Sequence, residues 1–151
     1  MKKSLLTLLF LLALRSQASP PEIAEPIGQR FGLPLLEVLD SLHKEGVYQY
    51  EGYYRKPGTP ADEVQVHFQD SDGSRSLTYY FTKGKCSLAT LSLPLAELDA
   101  IVRLYNRQFT SIGEQLWRTP TGERISVSVL IGAESSRRDG KAHVRAIYTP
   151  D

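Results

Sequence analysis

The 151-residue sequence predicts an α+β domain: one antiparallel sheet of about six to seven strands with two helices packed on one face, in the order α-ββββ-α-βββ. Three observations carry this. Several short segments alternate apolar and polar residues with period two, as half-buried strands do. Short runs of glycine, proline, aspartate and serine residues separate most of them, which makes sequential neighbours antiparallel hairpins. Two longer segments instead repeat their apolar residues at helical spacing, giving each a single stripe to bury.

The clearest periodicity runs from Leu77 to Trp117. Leu77, Tyr79 and Phe81 fall on one face of a strand, with Thr78, Tyr80 and Thr82 on the other. Lys83-Gly84 makes the turn, where glycine permits the positive φ of a tight hairpin. A second strand is expected over Lys85 to Leu91, with Cys86, Leu88 and Thr90 on one face. Ser92-Leu93-Pro94 then reads as a helix start, with serine as cap and proline in the first turn. Leu95, Leu98, Ile101, Val102, Tyr105 and Phe109 form the stripe of that helix, Glu97 and Asp99 near its start and Arg103 and Arg107 near its end in keeping with the dipole.

Upstream, Pro34 to Glu45 reads as a helix with Leu35, Val38, Leu39 and Leu42 as its stripe and Gly46 as its stop. Val47 to Arg55 reads as a strand with Tyr48, Tyr50 and Tyr54 on one face and Gln49, Glu51, Tyr53 and Arg55 on the other. Glu63 to Gln69 follows, with Val64, Val66 and Phe68 inward and Gln65, His67 and Gln69 outward. Downstream, strands are expected over Gly113 to Arg118, Arg124 to Ile131 and Ala142 to Thr149. The last has Val144, Ala146 and Tyr148 inward and His143 and Arg145 outward. Ala133 to Lys141, with Arg137 and Arg138, reads as an exposed loop. The halves share an order of elements but no matching residues, so no repeat is claimed.

The first residues read differently. Lys2-Lys3, the apolar run Leu5 to Leu14 and Ser16-Gln17-Ala18 have the layout of a cleaved export signal over residues 1–18. An extended lead-in over 19–33, within which Ile27 to Phe31 reads as a short turn or helix, and a single domain over 34–151 complete the expected organisation. The apolar run would span roughly 15 Å as a helix, about half a bilayer core, so no stable membrane anchor is expected after processing. The location implied is periplasmic or secreted. Cleavage would remove Lys2, Lys3 and Arg15 from 18 basic and 17 acidic residues, leaving 15 against 17, a net charge of −2. That near-neutrality gives no electrostatic basis for a nucleic-acid partner.

No spacing of a metal centre, nucleotide loop or nucleophile elbow occurs, so no catalytic residue, metal or cofactor is assigned. Cys86 is the one cysteine and excludes an internal disulfide. It reads as a small buried hydrophobe; an intermolecular disulfide or a nucleophile are its other readings. The candidate binding residues are the outward-facing Tyr53, Gln65, His67, Tyr80, His143 and Arg145. The function expected is an exported, non-catalytic module binding an unidentified protein or small ligand. The alternative is a small hydrolase or thiol enzyme using Cys86 or a His67/His143 pair. The areas favour the first: two helices about 10 Å wide cover roughly four strands about 4.8 Å apart, fewer than the sequence supplies, which leaves surface for a partner.

Tyr79-Tyr80-Phe81, Gly84-Lys85-Cys86, Tyr105-Asn106 with Phe109, Ile112-Gly113 and Trp117 together resemble small exported bacterial proteins of unknown function. The likeness covers about forty residues and implies an exported stand-alone domain without implying a chemistry. The αβββ order is also similar, as topology alone, to secreted inhibitor and PepSY-like modules.

Overall fold

A computed structural model describes residues 27–131 and 142–151. The expected signal peptide and the expected loop from Ala133 to Lys141 lie outside the described residues. Two helices, α1 (Leu35–Glu45) and α2 (Leu98–Gln108), pack on an eight-stranded antiparallel sheet. Its strands are β1 (Gln49–Tyr54), β2 (Val64–Gln69), β3 (Ser76–Thr82), β4 (Lys85–Pro94), β5 (Thr110–Gly113), β6 (Leu116–Arg118), β7 (Arg124–Leu130) and β8 (His143–Thr149). The expected class is correct; the strand count is one higher than the upper expectation.

The sheet order is β1-β2-β3-β4-β8-β7-β6-β5. Each half is therefore a helix followed by a four-stranded meander, and the halves join where their last strands, β4 and β8, pair antiparallel. The helices match as well: each has 11 residues, and the buried pair stands at its fourth and eighth positions, Val38 and Leu42 in α1, Ile101 and Tyr105 in α2. The molecule is a structural repeat whose chemistry differs between halves, which is why residue-by-residue comparison of the halves finds nothing.

Register places both helices on one face. Directly paired residues share a face, and one line of pairs crosses the whole sheet: Tyr53, Val66, Tyr79, Ala89, Tyr148, Ile125, Trp117 and Ser111. Arg30, which also bonds Ser41 and Glu45 of α1, donates to the Tyr79 hydroxyl at 3.1 Å. From α2, Asn106 accepts from Trp117 Nε1 at 2.8 Å, and the Tyr105 ring packs edge-on against Trp117 and Tyr148. The core lies between this face and the helices, with Val66, Tyr79, Leu91, Leu93, Ile125 and Val144 at its centre.

The short turn expected over Ile27 to Phe31 is present as a 3-10 turn at Ile27–Arg30, and the backbone of Gly32 and Leu33 exchanges hydrogen bonds of 2.8 and 2.9 Å with Cys86. Several other local expectations are overturned. The strand beginning at Lys85 runs on to Pro94, because its last residues gain a partner in β8 that local sequence cannot reveal. Ser92 is accordingly a buried strand residue rather than a helix cap. A bulge lies between the pairs Tyr80↔Leu88 and Phe81↔Cys86, so Leu88 and Thr90 face away from Cys86. The expected strand over Gly113 to Arg118 is the β5–β6 hairpin, turning at Glu114-Gln115 with Gln115 at φ 51°. All four β5 residues are exposed, so no buried alternation announces that strand. The hairpin at Lys83-Gly84 matches expectation: both residues have positive φ, 52° and 72°, as a two-residue hairpin of this hand requires.

Candidate functional site

The helices occupy one sheet face; among the described residues no helix crosses the other. Three neighbouring register lines cross the middle of that second face. The first joins Tyr54, Gln65, Tyr80 and Leu88. The second joins Gly52, His67, Thr78, Thr90, Ile147, Ser126 and Leu116. The third joins Gln49, Gln69, Ser76, Ser92, Arg145 and Ser128. Hydroxyl and amide side chains dominate, and most are half-buried because neighbours on a sheet shade one another.

Of the expected binding residues, the structure brings Gln65, His67 and Tyr80 together. Gln65 and Tyr80 are direct cross-strand neighbours, and His67 lies two residues along β2 on the same face. His67 Nδ1 and the Thr78 hydroxyl are 3.0 Å apart, a hydrogen bond that fixes the imidazole on its strand.

Tyr53 does not join them. A bulge between Tyr50 and Gly52 inserts Glu51, and every later residue of β1 changes face. Tyr53 pairs with Val66 on the helix side, and Tyr54 takes its place beside Gln65. The signal that could have found this is Gly52, since an isolated glycine within a strand pattern marks a bulge.

Arg145 shares the face but stands beside Ser92 and Ser128, three strands and two residues from His67. His143 also lies on this face by register, opposite Pro94 and Leu130, yet is only 1% exposed and so is not an outward contact residue.

The two histidines do not meet. His67 is level with Ile147, four residues along β8 from His143 and three strands away, which places them roughly 20 Å apart at standard strand spacings. Cys86 faces the helices, opposite Phe81, and is 3% exposed. Burial pushes its thiol up to about 12, against weaker opposing effects from a backbone hydrogen bond and Arg30. Among the described residues no group of three His, Cys, Asp or Glu side chains could hold a metal ion, and no helix is long and apolar enough to cross a membrane.

A concavity of about 460 Å³ lies where the end of α1 meets β1 and β2. Leu39, His43, Tyr48, Tyr50 and Phe68 line it, and the Tyr50 ring packs edge-on against Phe68 at 6.0 Å. Tyr50 and Tyr53 remain 56% and 70% exposed, because two helices do not reach the outermost strand. No protein-family model, no curated protein and no solved structure matches the chain.

Proposed function

We propose that this chain is an exported, non-catalytic recognition module that binds its ligand through the helix-free sheet face, with Tyr54, Gln65, His67 and Tyr80 as the contact patch. The observation that carries the reading is the one-sided placement of both helices, which leaves a face of hydrogen-bonding side chains across the central strands. The signal-like first 18 residues and the likeness to small exported bacterial proteins support export. The alternative, an enzyme using Cys86 or a histidine pair, finds its groups on opposite faces or far beyond hydrogen-bond reach.

The test is a pull-down from the exported fraction with the mature chain and with a Gln65→Ala/His67→Ala/Tyr80→Ala variant of unchanged melting temperature. The reading expects a specific catch that the variant loses. An equal catch from both, or none from either in pull-down and ligand screen alike, overturns it.

A further inference from the structure

Across β1, β2 and β3 the three register lines carry no formal charge among their paired residues, whereas the cations of the helix-free face, Lys85, Arg118, Arg124 and Arg145, stand on β4 and the strands of the second half. A polyanion is held by several cations, and a charged peptide by groups of opposite sign. The patch over β1 to β3 supplies neither. It offers hydroxyls, which donate and accept, and amides, which carry donors and an acceptor together. The match in charge and hydrogen-bonding capacity is an uncharged polyhydroxylated chain.

A second observation gives the geometry. Tyr54 and Tyr80 flank Gln65 on one register line, two inter-strand steps apart, or roughly 10 Å. Tyr54 is half exposed and Tyr80 partly so. That interval is close to the length of two pyranose rings linked end to end. The C–H faces of such rings stack on aromatic rings, and the amide between them meets ring hydroxyls.

We propose that the ligand of this face is an extended, uncharged β-1,4-linked glycan laid across β1, β2 and β3, with sugar rings on Tyr54 and Tyr80 and hydroxyls on Gln65 and His67. The inference rests on the sheet-face reading above and names its ligand class. Calorimetric titration of the whole mature chain with β-1,4-linked hexaoses of glucose, N-acetylglucosamine and mannose tests it, with polygalacturonate as the charged control.

At least one neutral hexaose binds, with an affinity insensitive to salt. Tyr54→Ala and Tyr80→Ala each weaken it about tenfold, as loss of an aromatic contact does. Tyr80→Phe, which keeps the ring and protects against misreading a folding defect, stays within about twofold of the parent. Failure of all three hexaoses, undiminished binding in the Tyr54→Ala/Tyr80→Ala double variant, or tighter binding of polygalacturonate overturns the glycan. If the triple variant still loses its pull-down catch in that case, the glycan alone falls and the sheet-face reading stands; if it does not, both fall.

Discussion

Arg30 ties the segment before α1 to the sheet, and its truncation should be among the most damaging single changes in the first half. The guanidinium is buried, with the residue 5% exposed, and it donates to the Tyr79 hydroxyl at 3.1 Å and the Ser41 hydroxyl at 3.3 Å. It also pairs with the Glu45 carboxylate and lies 5.9 Å from the centre of the Tyr79 ring. In Arg30→Ala the Tyr79 hydroxyl, on a residue 0% exposed, loses this donor at a cost of about 1–3 kcal/mol. Glu45 keeps 35% of its side chain accessible and rehydrates, so the lost ion pair adds only about 0.5–1 kcal/mol. The total, about 2–4 kcal/mol, corresponds to a drop in melting temperature of about 5–15 °C for a chain of this size. Thermal and urea unfolding followed by circular dichroism measure it. Tyr79→Phe introduced into Arg30→Ala should recover about 1 kcal/mol, because no hydroxyl is then left buried without its donor. A loss below about 1 kcal/mol for Arg30→Ala, or no recovery in the double variant, would refute the anchoring role.

Two further outcomes follow from burial. Cys86 should resist an aromatic disulfide reagent at pH 8 in the native protein and react fully once denaturant is added, since burial holds its thiol near 12; equal rates in both states would contradict its placement against the helices. Burial also raises the phenols of Tyr48, to about 12 despite the opposing charge of Arg75, and of Tyr79, further still despite Arg30. Both raised groups stabilise the fold fully below the ordinary tyrosine pKa of 10.0, and that stability is lost as pH rises from there towards the folded values. Urea midpoints measured between pH 8 and 12 should therefore stay level and then fall, with a shallower fall in Tyr48→Phe; an unchanged slope in that variant would sink the assignment.

The face that forms the candidate site was legible in part. Gln65, His67 and Tyr80 lie on strands whose alternation is strict, so their direction follows from period two alone. Tyr53 was misplaced because one inserted residue, Glu51, reverses every side chain after it. His143 alternates correctly yet is buried, since exposure depends on what lies over a position and not on the strand's own pattern.

From its own residues the chain determined its class, its two amphipathic helices, the Lys83-Gly84 hairpin and the inward faces of β2, β3 and β8, because each depends on spacing within a few positions. Tertiary structure alone decided the mirrored order of strands, the β4–β8 seam, the extension of β4 through Ser92 to Pro94 and the bulges at Glu51 and Ser87. The physical reason is that a strand's unpaired N–H and C=O groups are satisfied by whichever strand lies beside it, and residues 89–94 find theirs about fifty to sixty positions away.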